Sequence, residues 1–373
     1  MILILIFGMI IWSIVDPRRS TAIYCATLAI VIAALAQMNM NKDMSGDWVW
    51  YTQHYLRLEY MNFFSYLGAK IGSIVVKWNE PVYYAICKIV SVYSRGDIPT
   101  LALVITLIDY VLVGVAVFRV GGALFVKEGR NPNAIALIGC VLLAMSFTLV
   151  THLVRQVMGA SFCILGYSYL RRGNQWMAGA LAVIALLTHQ SVALLVLILY
   201  APVLLELYFK KRSTRRLFSF GAILVAAALG YYISHSSISS LGQKDDGSIS
   251  IGLVLIDAAI FAALAVVVFT NRRRDMMASH FLLSYLIFYA ALMTLLTVPL
   301  AVLRIYFYLD FVRTMALLLL VIKGVRFLPK ALDTALPGVG LLGLGLLYVG
   351  LRIDRAPFDF GGSLWHYLAY PIF

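Results

Sequence analysis

The sequence predicts an all-α polytopic membrane protein with about twelve transmembrane helices. Three observations predict it. The chain of 373 residues is 62% hydrophobic and 13% charged, with a mean hydropathy of +0.91, which is far above the apolar share of a soluble domain and about half its usual charge. The apolar residues fall in blocks of about 17 to 22, each long enough to cross a hydrocarbon core of about 30 Å as a helix. Lys and Arg gather in short clusters between those blocks. A soluble enzyme is excluded.

Taken in order, the spans fall at residues 1–15, 21–38, 98–118, 134–151, 153–170, 176–189, 191–209, 217–233, 251–270, 277–297, 304–322 and 335–351. The first block has no basic leader and no small-residue cleavage site, and Pro17-Arg18-Arg19 follows it. It reads as a retained helix and not as a signal peptide. One alternating set of loops holds Arg18 and Arg19; Arg119, Lys127 and Arg130; Arg171 and Arg172; Lys210, Lys211, Arg212, Arg215 and Arg216; Arg272, Arg273 and Arg274; and Lys323, Arg326 and Lys330. The other set and the C-terminal tail hold half as many: Lys42, Arg57, Lys70, Lys77, Lys88, Arg95, Lys244, Arg352 and Arg355. By the positive-inside rule the first set is cytoplasmic, which predicts both termini outside.

The outer side then carries the long segment 39–97, a polar loop around 234–250 and an aromatic tail, 352–373. The first is too long for a simple connection. In Glu80-Pro81-Val82-Tyr83-Tyr84-Ala85-Ile86-Cys87-Lys88, the proline suits a first helical turn and Lys88 interrupts any spanning run. This predicts interfacial or re-entrant helices with Tyr and Trp at headgroup level. No repeat and no composition shift marks a second domain, so residues 1–373 are expected to form a single integral membrane domain.

The net charge of +13, from 30 Lys and Arg against 17 Asp and Glu, would raise nucleic acid in a soluble chain. Here it serves topology and anionic lipid headgroups, and no nucleic-acid partner is expected. Cys25, Cys87, Cys140 and Cys163 form no CxxC pair, and three of them lie inside apolar blocks, which indicates neither a disulfide framework nor a zinc site. There is no P-loop, no paired-aspartate DxD motif and no metal-ligand spacing. No metal or cofactor is expected, and a cytosolic nucleotide-linked donor is unsupported.

Charged side chains at membrane depth are expensive and are therefore functional candidates. Arg155 opens the fifth span, His189 closes the sixth in Thr188-His189-Gln190-Ser191, and Arg304 opens the eleventh. All three fall on the outer face. Snorkelling arginines and a satisfied turn histidine would be the structural explanation, yet arginine is the wrong anchor for an outer helix end. Two guanidinium groups there suit the diphosphate of a lipid-linked substrate, and a histidine suits proton transfer from a sugar hydroxyl. Asp47 and Glu80 are the carboxylates best placed to join them, either orienting the histidine or acting as the base. The competing reading is a solvated acid or an ion pair with Lys42, Lys77 or Arg57. Asp310 and Arg313, three apart on one helical face, read as a local intramembrane pair that supports the fold. Asp109 and Asp257 lie within spans with no relay visible in sequence. Gly159, Cys163 and Gly166 form a small-residue stripe suited to close helix packing.

At these residues the chain resembles the EpsG-like, Wzy-type polymerases of O-antigen and exopolysaccharide in bacterial inner membranes. The matching features are Asp47 followed by Tyr51 and Tyr55; Glu80 with Tyr83 and Tyr84; Arg155-Gln156; Thr188-His189-Gln190-Ser191-Val192-Ala193; and Arg304 with Tyr308. The resemblance implies a GT-C-like, metal-independent glycosyltransferase that joins undecaprenyl-diphosphate-linked repeat units at the periplasmic face. It implies Arg155 and Arg304 as diphosphate clamps, and His189, Asp47 or Glu80 as the base. Tyr51, Tyr55, Tyr83, Tyr84, Gln156 and Tyr308 are the sugar or acceptor contacts it implies, with the tyrosines equally suited to a role as interface aromatics. Expected partners are lipid-linked glycans, membrane lipids, a chain-length regulator and a flippase. An O-antigen ligase-like or polyprenyl-linked-sugar transferase, and a lipid-linked oligosaccharide flippase, are the alternative functions.

Overall fold

In the computed structural model, residues 2–15, 19–67, 70–71, 74–75, 80–235, 251–270, 275–296, 298–325, 330–356 and 359–369 are described. They form helices α1 (Ile2–Val15), α2 (Ser20–Met40), α3 (Asp47–Tyr60), α4 (Phe63–Tyr66), α5 (Pro81–Ser94), α6 (Ile98–Lys127), α7 (Ala134–Ala144), α8 (Phe147–His152) and α9 (Val154–Leu170). These continue with α10 (Gln175–Thr188), α11 (Val192–Tyr208), α12 (Arg212–His235), α13 (Ile251–Thr270), α14 (Met276–Leu295), α15 (Pro299–Tyr306), α16 (Tyr308–Gly324), α17 (Lys330–Asp354) and α18 (Leu364–Ala369). A two-residue antiparallel pair, β1 (Lys70–Ile71) with β2 (Ile74–Val75), sits in the long segment.

The predicted spans are found as helices, which makes this an all-helical polytopic membrane protein. Among the described residues, six helical stretches are both apolar and at least 18 residues long, enough for about 27 Å of rise. Shorter apolar helices such as α7, α10 and α11 pack among them. The outer surface of α13 carries exposed Leu255, Ile256, Val266 and Phe269, a face that water would not tolerate and lipid would.

Two spans are interrupted where the sequence reading has them continuous. The stretch 134–151 is broken at Met145 and Ser146, whose extended backbone separates α7 from α8. The helix resumes at Phe147 without a side-chain cap from Ser146, whose hydroxyl bonds that of Thr148. The eleventh span is found as the apolar stretch Arg304–Gly324, with Arg304 in the last turn of α15 and a turn at Phe307 before α16. Pro299 starts α15 in its first turn, where a missing N–H costs nothing.

The small-residue stripe packs as expected. A Cβ at Gly166 would lie 2.1 Å from the Tyr200 hydroxyl, and one at Gly159 would lie 2.9 Å from Val192, so α9 approaches α10 and α11 closely. The Asp310–Arg313 pair is also present, but it extends to α13. Arg313 Nε lies 2.5 Å from Asp257 Oδ1 and Nη2 lies 2.9 Å from Oδ2, while Tyr306 donates to the same carboxylate. Asp257 is thus a partner of Arg313 and not an isolated acid.

The segment 39–97 contains α3, α4 and α5, with α3 packed on α5 and α5 on α10. The C-terminal tail folds back on this end: Phe360 packs against Phe147 with ring centroids 5.2 Å apart, and Asp43 N–H donates to the Asp359 carbonyl at 2.9 Å. Arg18, Lys77, Lys244, Arg272, Arg273, Arg274, Arg326 and most of the 234–250 loop lie outside the described residues.

Candidate active site

Glu80 is the last residue before α5, placed by Pro81 at the first helical position. Its side chain does not cap its own helix. It turns into the bundle, fully buried at 0% exposure, where Arg155 Nη1 lies 2.9 Å from one carboxylate oxygen and His189 Nδ1 lies 2.9 Å from the other. The backbone N–H of Gln190 approaches the second oxygen at 3.4 Å. Three separate pieces of chain meet at this carboxylate: the start of α5, the first turn of α9 and the turn between α10 and α11. An arginine in the first turn of α9 stands at the positive end of the helix dipole, and a buried anion relieves that cost.

The His189 contact has a chemical consequence. A carboxylate 2.9 Å from the ring stabilises the imidazolium that forms when the histidine takes a proton. His189 keeps 22% of its side chain exposed, while Glu80 keeps none.

A second chain of hydrogen bonds ties Arg304 to the same place. Gln156, next to Arg155, donates to the Arg304 carbonyl at 2.9 Å and to the Tyr308 hydroxyl at 3.1 Å. That hydroxyl is 2.7 Å from Ser191 Oγ, two residues past His189. No carboxylate pairs with the Arg304 guanidinium among the described residues, so its charge remains for a ligand. With a neutral imidazole, Glu80, Arg155 and Arg304 together carry one net positive charge.

Asp47 takes a different partner. Its carboxylate lies 4.0 Å from His152 Nε2, and Gly46 at φ +54° admits that ring, since a Cβ there would sit 2.6 Å from it. Lys42 closes this flank, donating to the Thr151 carbonyl at 2.5 Å above the Trp48 ring, and burial pushes its pKa well down. Tyr51 bridges the two groups: burial pushes its phenol up, against the opposing charges of Arg155 and Arg304, with Asp47 also raising it.

The tyrosines named as sugar or acceptor contacts differ in exposure. Tyr55, Tyr83, Tyr84 and Tyr308 are all buried. Tyr55 bonds Ser94 and the Asp97 carbonyl; Tyr83 packs edge-on against Tyr51 and Tyr84; Tyr84 accepts from Arg155 at 3.1 Å, and burial pushes its pKa to about 12. Gln156 spends its amide on Arg304 and Tyr308. Tyr51 alone of the named tyrosines is half-buried. Sequence reasoning did not weigh His152 or Ser191 as site residues. The signal for His152 was its position three residues before Arg155 in the same polar stretch.

The EpsG family model matches residues 22–330, more than half of the chain, and every residue of this cluster lies inside the match. No curated protein and no solved structure matches the chain.

Proposed function

The chain belongs to the EpsG family, and on that footing we propose that it is a membrane glycosyltransferase that polymerises undecaprenyl-diphosphate-linked repeat units. The observation that carries the reading is the buried Glu80 carboxylate held between Arg155 and His189 at 2.9 Å each. A carboxylate that orients a histidine and steadies its protonated form is what deprotonation of a sugar hydroxyl requires.

In the proposed step, the acceptor hydroxyl oxygen attacks the anomeric carbon of the donor glycan. The carbon–oxygen bond to the diphosphate breaks, and its electron pair leaves with the lipid diphosphate. The hydroxyl proton passes to the His189 imidazole. Arg304 answers the charge that develops on the leaving diphosphate, and Arg155, paired with Glu80, contributes to that field. Arginine suits both tasks because it is permanently charged and binds phosphate oxygens in pairs. Charge compensation is assigned to these side chains. Tyr51 is the aromatic face left for a sugar. The proposed setting is the bacterial inner membrane with this end of the bundle towards the periplasm, in keeping with the basic loops at the other end.

The test is product length, using purified protein and lipid-diphosphate-linked repeat units. A polymerase gives a ladder of products. A single added unit would make the protein a ligase-like or single-sugar transferase, and passage of intact units across a bilayer without a ladder would make it a transporter.

A further inference from the structure

At the opposite end of α6 and α9 from Glu80, a cavity of about 90 Å³ opens between α6, α9 and α14. Four cations line it: Arg119, Lys127, Arg171 and Arg172, beside Ser168 and Met277. Arg155 and Arg171 lie at the two ends of α9, separated by about 24 Å of helical rise, so the two sites are distinct. Topology alone explains why basic residues stand at this end; it does not explain why residues from separate helices converge on one hollow.

The local acids do not balance these charges. Asp275 is shared by Lys127 at 2.9 Å and Lys323 at 2.7 Å, and Lys323 also lies 3.3 Å from Glu128, so these two acids are taken up by the two lysines. Arg171 donates to His280 Nδ1 at 2.8 Å, and the far nitrogen of that ring faces Glu206. Arg119 stacks over Tyr169 at 3.7 Å and its Nε is buried without a hydrogen-bond partner. Arg172 is exposed, and no ion pair is formed by either Arg119 or Arg172 among the described residues. The space is several times the roughly 10–15 Å³ that a single water needs. Two unpaired guanidinium groups beside a hollow of this size are suited to a tetrahedral oxyanion, while the Ser168 hydroxyl donates to the Leu165 carbonyl at 2.7 Å.

We propose that this cavity is a phosphate-binding site, filled by the headgroup of an anionic phospholipid or by free phosphate. A crevice between membrane helices at the basic end of a bundle opens at headgroup depth, where such a phosphate is abundant.

The test uses the full-length protein in detergent micelles doped with phosphatidylglycerol or phosphatidylcholine, with retained lipid counted by native mass spectrometry. Inorganic phosphate serves separately as competitor and as the sole ligand in a thermal-shift measurement. The parent is expected to retain phosphatidylglycerol over phosphatidylcholine. Arg172→Gln, at an exposed position where folding is not at stake, lowers retention about fivefold, and Arg119→Gln with Arg172→Gln lowers it about 25-fold. Arg216→Gln, an exposed arginine at the same end but outside the cavity, leaves it unchanged. If inorganic phosphate displaces the lipid and protects the parent but not the variants, the source is free phosphate; if it does neither while lipid retention follows the variants, the source is the headgroup. Equal retention of phosphatidylglycerol by parent and Arg172→Gln, with no phosphate protection of the parent, overturns the proposal. So does an equal loss from Arg216→Gln.

Discussion

The Glu80 carboxylate lies 2.9 Å from Nδ1 of His189, although 109 positions of chain separate the two residues. The same buried carboxylate meets Arg155 at 2.9 Å, which makes one anion the common partner of a permanent cation and a titratable ring. Its substitution therefore has two separable effects. Glu80→Gln keeps the shape and removes the charge, leaving Arg155 uncompensated; the expected loss is about 3 kcal/mol of stability. Arg155→Gln in the same background should recover part of it, a coupling of about 1–3 kcal/mol in a double-mutant cycle read by unfolding in detergent. Additive losses would mean that the two groups do not interact.

Arg304 behaves differently because it has no acidic partner among the described residues. Arg304→Ala should change stability by less than about 1 kcal/mol while abolishing the glycan ladder. Arg304→Lys, which keeps the charge and loses the paired geometry, should restore only part of the activity. A melting temperature that falls as far as that of Arg155→Ala would assign Arg304 to the fold instead.

Arg313 is a support of the bundle. It is buried between Asp257 and Asp310, and Tyr306, two residues past Arg304, shares Asp257. Arg313→Met strands two carboxylates and should cost about 3–5 kcal/mol, with Asp257→Asn recovering part of that loss. Comparison of the single and double variants by thermal unfolding decides it; no recovery would rule out the pair.

How much of this was legible in the sequence follows from what each feature depends on. The spans are written in local composition, and they were found nearly where expected. Arg155, His189 and Arg304 stood out because charge at membrane depth is costly wherever it occurs. The breaks at Met145–Ser146 and at Phe307 were missed because neither proline nor glycine marks them. The choice between Glu80 and Asp47 could not be read because it depends on how α5, α9 and the turn before α11 meet. Tyrosines at helical spacing do not reveal which face is covered, and Tyr55 and Tyr83 proved to be core.

His54 gives a pH dependence outside the site. It is buried in α3 with the Tyr66 hydroxyl on its Nδ1, and burial, with the charges of Arg155 and Arg57, lowers its pKa to about 4. The unfolded histidine titrates near 6.5, so the unfolded state binds more protons between those values. Stability from this group is complete above about pH 6.5, falls as the pH drops towards 4 and levels off below it. His54→Phe should flatten that part of the stability profile measured by melting in detergent; an unchanged slope would show that the ring is not held neutral.

Acid strength at the other end of the bundle has the opposite origin. Burial pushes the Asp275 carboxyl up, but hydrogen bonds from Lys323 and Lys127 outweigh it and hold the pKa at about 2. Its stabilisation is present above about pH 4 and disappears as the pH falls through 2. Asp275→Asn, which preserves the cap on α14, should cost about 1–2 kcal/mol at neutral pH after solvent screening of the lysines. It should cost only a small part of that at pH 2, a contrast measurable by unfolding at the two pH values.

The rate of ladder formation as a function of pH, in parent and His189→Gln protein reconstituted at matched folded yield, bears on the Glu80–His189 pair directly. The pair acting as base predicts a parent rate that declines on the acid side as the imidazole protonates, and a loss of roughly 10²- to 10⁴-fold in His189→Gln. A His189→Gln protein that makes the parent's ladder with the parent's pH profile would contradict it.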